Sequence, residues 1–299
     1  MSLVLLLYGL CASTFTVSKA TLSYTLPIFY TAARMCGGGV VLCLLYASLH
    51  RSFPRICTRD WGLLAQIAFF AVYVASLCDL WPLQYLTSIE SSLIFSVTPF
   101  MTALFSYLWF GEKMTGRKWM GLGIGMCSIL PLVYRITAHR ISLSPGHMIV
   151  VILHLGSVAA SAYGWVVMRE LVKERHYSPL AINGLGMLLG GGLALVTSLL
   201  VEPWDPVPVV AWKPFTLLLI MIIILSNGLF SNLYSYLLRT YTATLLSFAG
   251  FTCPLFASLA GWFFLGEQLQ VNFFLSFIAV FLGLYIFYRE ELRQGYIAQ

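Results

Sequence analysis

The chain has 299 residues, of which 60% are hydrophobic and only 9% charged, with a formal net charge of +6. A soluble domain carries about 25% charged residues, so a water-facing globule of this size is excluded. The apolar excess must face lipid.

A membrane-spanning helix needs about 20 mostly apolar residues, because the hydrocarbon core is about 30 Å thick and a helix rises about 1.5 Å per residue. Such runs occur at 2–20, 27–49, 61–81, 86–110, 117–135, 147–169, 179–200, 213–237, 242–265 and 270–288. Backbone polar groups in lipid must be satisfied within their own segment, and runs this long are helices, not barrel strands. The expectation is an all-α integral membrane protein with ten transmembrane helices. Little chain is left over for a soluble domain.

Span one lacks a basic start and a small-x-small cleavage site, and a second span follows closely. It is therefore expected to be retained rather than removed as a signal. Tyr8, Phe15 and Lys19 share one of its faces. Span two opens at Pro27 and carries Arg34 and the triplet Gly37-Gly38-Gly39. An ionisable group inside a span is expensive and points to function or to a partner; for Arg34 the expected partner is Glu90 or Asp79. Span three holds Tyr73 and ends near Asp79 and Trp81.

In span four, Thr87, Glu90 with Ser91, Ile94 and Thr98 fall on one face at helical spacing. A stripe of this kind should face a cavity. Glu90 would attract a cationic group there or carry a proton. The same span ends in "TPFMTALFSYLWFGEK", where Pro99 is expected to kink the helix, Gly111 to cap it and Glu112 to act as a capping carboxylate at the interface. Span five contains the glycine-rich "GLGIG", Gly121 to Gly125.

Span six offers His154, Ser157, Ser161 and the cluster Tyr163-Gly164-Trp165. A histidine titrates near neutrality and can relay a proton. Span seven opens at Pro179 and carries a second triplet, Gly190-Gly191-Gly192. Span eight shows a polar stripe of Asn227, Ser231, Tyr234 and Ser235, with Asn232 beside it. Span nine contains Phe251 and repeats the earlier phrase as "CPLFASLAGWFFLGEQ", Cys253 to Gln268, with Pro254, Gly266 and Glu267 in the places of Pro99, Gly111 and Glu112.

The recurrence is general. Tyr8-Gly9 returns as Tyr163-Gly164, and proline followed by a glycine triplet opens both span two and span seven. Residues 1–140 and 141–299 therefore read as two five-helix repeats. Five is odd, so the second repeat enters from the opposite side of the membrane. Inverted repeats of this kind mark secondary transporters, whose substrate site lies near the midplane between the halves. Glycines allow close helix approach, so the triplets are expected on packing faces.

Arg51, Arg55, Arg59, Lys113, Arg117, Lys118, Arg169, Lys173, Arg175, Arg239, Arg289 and Arg293 all fall on one side of this topology. The positive-inside rule puts that side, with both termini, in the cytoplasm of a cell (inner) membrane. These charges read as orientation signals, with no nucleic-acid partner. Most of the seven cysteines lie in spans, and neither C-x-x-C nor metal-ligand spacing occurs. No metal, disulfide or cofactor is expected.

The order and spacing of these motifs resemble the drug/metabolite transporter superfamily in its EamA-type form. The carriers are Lys19 ending span one, Pro27 to Arg34, Pro99 to Glu112, its echo Pro254 to Glu267, and Gly121 to Gly125. Many members of that family have tryptophan where this chain has Tyr8, and Asp79 and Glu90 are not general features of it. The resemblance implies a central cavity lined by spans one, three, four, six, eight and nine.

An alternating-access transporter of a small organic metabolite is thus the expected function, coupled to a proton or an exchanged solute, as a monomer or weak homodimer in the lipid bilayer. Arg34 or Lys19 suits a carboxylate and Glu90 a cation. Tyr8, Tyr73, Trp81, Tyr163, Trp165 and Phe251 suit a ring. An amino acid or an amino-acid-derived zwitterion or cation such as S-adenosylmethionine fits that set. A multidrug or nucleotide-sugar transporter, and a channel-like or lipid-scrambling protein, are the alternatives. No H-E-x-x-H or G-x-S-x-G is present, and no enzyme is expected.

Overall fold

The computed structural model describes residues 2–83, 85, 94–137, 145–253, 255–256 and 271–297, without the side chains of residues 2, 12, 15, 16, 19, 83, 128–137, 145–147, 271–273 and 276. The described residues are helical, apart from connecting turns and one isolated bridge between Thr25 and Val209. In chain order the helices are α1 (Ser2–Leu22), α2 (Pro27–His50), α3 (Thr58–Pro82), α4 (Thr98–Phe110), α5 (Gly116–Thr137), α6 (Pro145–Arg169, running on to Glu174), α7 (Pro179–Val201), α8 (Trp212–Leu237), α9 (Ala243–Ala249) and α10 (Val271–Gln294). Among the described residues, α2, α3, α6, α7 and α8 are long and apolar enough to cross a membrane. This is a multi-pass membrane fold.

The helix ends follow local chemistry. Pro27 opens α2, and the first free amides of that helix are held by a distant carboxylate. Glu202 Oε1 accepts from the Ile28 amide at 2.8 Å and Oε2 from the Phe29 amide at 2.7 Å. An anion at a helix N-terminus also suits the helix dipole. Gly111 ends α4 in the left-handed region at φ +66°, the C-cap conformation that glycine adopts without steric cost.

Pro99 departs from expectation. It lies in the first turn of α4, after a non-helical turn at 96–97. It therefore starts a helix instead of kinking one, and its missing amide costs nothing there. Pro254, Gly266 and Glu267 lie outside the described residues.

The glycine triplets build the centre of the bundle. α2 and α7 pack along their lengths. A Cβ placed on Gly39 would come within 2.8 Å of the Leu188 backbone nitrogen, and one on Gly191 within 2.8 Å of that of Cys36. The remaining contacts are reciprocal. Gly37 and Gly38 of α2 meet Ile223 and Asn227 of α8, while Gly190 of α7 meets Ala68 and Val72 of α3. α5 and α10 pair through Gly121 and Gly283, each abutting the other's carbonyl. Gly192 differs, because a Cβ there meets nothing within 4 Å.

Two substitutions separate packing from propensity. Gly191→Ala is expected to destabilise by about 1–3 kcal/mol through overpacking against backbone. Gly192→Ala should be neutral or stabilising by up to about 1 kcal/mol, because it removes a glycine from a helix interior. Unfolding midpoints in detergent check this, and equal shifts for the two variants would refute the packing assignment.

α3 and α8 share a further feature. Each widens into a π-helical stretch, Ile67–Val74 in α3 and Ile223–Phe230 in α8. Such stretches turn side chains off the regular helical stripe and recur at functional sites.

One end of the bundle is closed by ion pairs. Arg169 of α6 donates to Glu112, just past α4. Lys118 of α5 lies 3.2 Å from Glu291 of α10. Arg175 reaches Asp60 of α3 at 2.9 Å, and the Tyr177 hydroxyl donates to the same carboxylate at 2.8 Å. One sequence expectation changes here. Glu112 is a buried partner of Arg169 and not an interfacial cap, and Lys118 and Arg169, which the sequence placed among the orienting basic groups, are themselves buried. The physical reason is the same throughout: each charge finds its opposite on a helix distant in the chain.

Candidate functional site

The helices enclose a cavity of about 280 Å³. Its walls come from α1, α2, α3, the 95–98 segment, α6, α7, α8 and α9. The two π stretches contribute directly, through Ile67, Ala71 and Val72 on one side and Ser226 and Phe230 on the other.

One wall is aromatic. The Trp165 and Tyr234 rings stack, with centroids 4.1 Å apart at 29°. Tyr8 lies beside Tyr234 and donates its hydroxyl to the Leu246 carbonyl. Gly250 permits that approach, since a Cβ there would lie 3.3 Å from the Tyr8 ring. Phe251 completes the surface. A flat, partly polar wall of this kind suits a ring-bearing ligand.

Charge enters on α2 and α3. Arg34 of α2 and Asp79 of α3 both line the cavity and are electrostatically coupled. Arg34 Nε and Asp79 Oδ1 are buried atoms with no hydrogen-bond partner among the described residues. Unsatisfied buried polar atoms are rare and call for an explanation; both belong to side chains that line the cavity.

Among the expected site residues, Tyr8, Arg34, Trp165, Ser231, Tyr234 and Phe251 line the cavity together. Others stand off it. The Tyr73 hydroxyl bonds Thr197 Oγ1 of α7 at 2.7 Å. Trp81 is 39% exposed and packs against Tyr85. Ile94 is buried in a small cluster with Val150 and Val158.

His154 is buried edge-on to Phe95, with Nδ1 3.7 Å from Asp79 Oδ1. The Tyr163 hydroxyl donates to Gln66 Oε1 at 2.6 Å. Asn227 Nδ2 donates to the Arg34 carbonyl at 3.3 Å and so ties α8 to α2. Glu90 and the side chains of Phe15 and Lys19 lie outside the described residues.

Sequence reasoning named no lining residue on α7, where Asn183 and Met187 contribute, and read Cys11 and Cys253 only as small apolar groups. Both cysteines line the cavity, Cys11 from α1 and Cys253 from the segment after α9. Asn183 carried a signal, being a polar residue in an apolar span; its Nδ2 donates to Ser235 Oγ at 3.0 Å.

The profile of the EamA-like transporter family matches residues 1–134 and 148–289. The chain belongs to the EamA-like transporter family. It is thereby a member of the drug/metabolite transporter superfamily.

This EamA-like chain is 34% identical over 292 residues to a Chlamydia trachomatis (serovar L2) protein named an S-adenosylmethionine/S-adenosylhomocysteine transporter, covering 96% of this chain and 88% of that protein. It is 33% identical to the Chlamydia muridarum protein of the same name, covering 96% of this chain and 90% of the relative. A solved crystal structure superposes with a TM-score of 0.74 at 16% identity, covering 95% of this chain and 93% of the other. That likeness establishes a shared fold alone.

Proposed function

We propose that this EamA-like transporter exchanges S-adenosylmethionine for S-adenosylhomocysteine across a cell membrane by alternating access. The observation that carries the reading is the cavity itself, lined by Arg34 together with Tyr8, Trp165, Tyr234 and Phe251. In this reading the ligand's α-carboxylate binds the Arg34 guanidinium and its adenine stacks on the Trp165 and Tyr234 side. The names of the chlamydial relatives support the same substrate.

The architecture proposed for the cycle is ten membrane-spanning helices in two inverted five-helix repeats, 1–140 and 141–299, with both termini cytoplasmic. The reciprocal glycine contacts and the paired π stretches of α3 and α8 support it. Swapping the conformations of two such halves would move the opening from one face to the other. Exchange of one ligand for the other supplies the driving gradient, with a monomer as the working unit.

Purified protein in liposomes tests the substrate. Vesicles preloaded with unlabelled S-adenosylhomocysteine should accumulate labelled S-adenosylmethionine, saturably, while empty vesicles should not. Equal uptake into empty vesicles would mean a channel. Accumulation of an amine drug or a nucleotide sugar with no response to S-adenosylmethionine would overturn the substrate assignment.

A further inference from the structure

We infer that Asp79 is the residue by which this cavity prefers a sulfonium cation to the corresponding neutral thioether. The inference rests on the substrate reading above and adds a residue that determines specificity.

The two ligands differ by one methyl group and one positive charge at sulfur. The amino-acid end is a zwitterion in both, so the thioether carries no net charge and the sulfonium carries one positive charge. Among the described residues lining the cavity, the charged side chains are Arg34 and Asp79. These two charges are of opposite sign and oppose each other. When a ligand carboxylate takes the guanidinium, the carboxylate of Asp79 is left to face the ligand's positive groups. A sulfonium gains from that carboxylate and a thioether sulfur does not.

The setting of Asp79 fits this role. It lies in α3, a helix apolar enough to span a membrane, yet its side chain lines the cavity and keeps 26% of its surface accessible. Oδ1 has no hydrogen-bond partner among the described residues. His154 stands behind it, with Nδ1 at 3.7 Å, and its ring is pinned edge-on to Phe95. A low-dielectric surround makes a single charge pair worth far more than it is in water. Removing Asp79 would also leave Arg34 unopposed, and an unopposed cation repels a cationic ligand more than a neutral one.

The test compares inhibition of counterflow by unlabelled S-adenosylmethionine and by S-adenosylhomocysteine in proteoliposomes, for the unmodified protein, D79N and D79E. The unmodified protein should favour the sulfonium. In D79N the preference should fall at least about tenfold, and D79E should keep most of it. Ligand-induced thermal shifts in detergent give the same ratio without transport.

Parity or reversed preference in the unmodified protein overturns the inference even if D79N does not fold. So does an unchanged ratio in D79N. If the unmodified protein responds to neither ligand, the substrate reading has failed instead, and the two failures are thereby distinguished.

Discussion

Lys118→Met is expected to destabilise the fold by about 3–5 kcal/mol, read as a lower unfolding midpoint in detergent, because it leaves the Glu291 carboxylate buried without its counter-charge. Lys118 is 1% and Glu291 0% exposed. The ammonium also sits over the rings of Phe287 and Tyr296, at 5.3 and 4.6 Å from their centroids. Glu291 has a second task. Both its oxygens accept from the Thr242 hydroxyl at 2.7 Å, and the same hydroxyl oxygen accepts from the Leu245 amide at the start of α9. One carboxylate thus joins α5, α10 and the cap of α9.

The sign of the effect depends on what replaces the pair. Glu291→Leu alone strands the ammonium and unhooks the Thr242 cap, which adds about 1 kcal/mol. Lys118→Met with Glu291→Leu removes both charges, and buried ion pairs replaced by apolar groups of similar size are often neutral or stabilising. The double variant should therefore recover most of the loss. If the two single losses simply add in the double variant, Lys118 and Glu291 are not energetically coupled and the pair is incidental.

This ion pair was beyond the reach of sequence pattern. Lys118 and Glu291 are 173 residues apart, and each occupies a position where a solvated charge at a helix end reads identically. Lys118 stood in a basic group that orients the chain, and Arg169 beside its own basic loop. Charge density along a chain predicts sidedness, because the membrane responds to summed charge. It cannot predict partners, which depend on which helix ends meet.

The glycine triplets behaved otherwise. A run of three glycines in a span has few uses besides close packing, so Gly37 to Gly39 and Gly190 to Gly191 were legible in kind, although not in their partners. Gly192 shows the limit, since three successive residues point about 100° apart around a helix and one of them falls outside the contact.

The candidate site was legible to the same partial degree. Polarity inside an apolar span says that a group needs a partner, without saying whether the partner is a ligand or another helix. Asn227, Tyr73 and Tyr163 found helix partners in the Arg34 carbonyl, Thr197 and Gln66. Tyr8, Trp165 and Tyr234 found one another and the cavity. What separates the two groups is rotation about the helix axis. The π stretches in α3 and α8 alter that rotation locally, and they leave no periodic mark in the sequence.

Arg34→Ala is expected to weaken half-saturation by S-adenosylmethionine roughly 30- to 1,000-fold, equivalent to about 2–4 kcal/mol, the range for removing one partner of a buried charge-assisted contact. The packing of α2 should survive the change. The hydrogen bond that ties this position to Asn227 uses the Arg34 backbone carbonyl, which alanine keeps, and the side chain holds no ion pair among the described residues at salt-bridge distance. Arg34→Lys should recover only part of the affinity, because an ammonium keeps the charge and loses the planar fork that matches a carboxylate.

The ligand's methyl ester distinguishes recognition from general electrostatics. If the guanidinium binds the ligand carboxylate, the ester should bind the unmodified protein weakly and be almost indifferent to Arg34→Ala. If the substitution weakens acid and ester alike, the side chain serves the cavity's shape or neutralises Asp79, and the carboxylate must be held elsewhere.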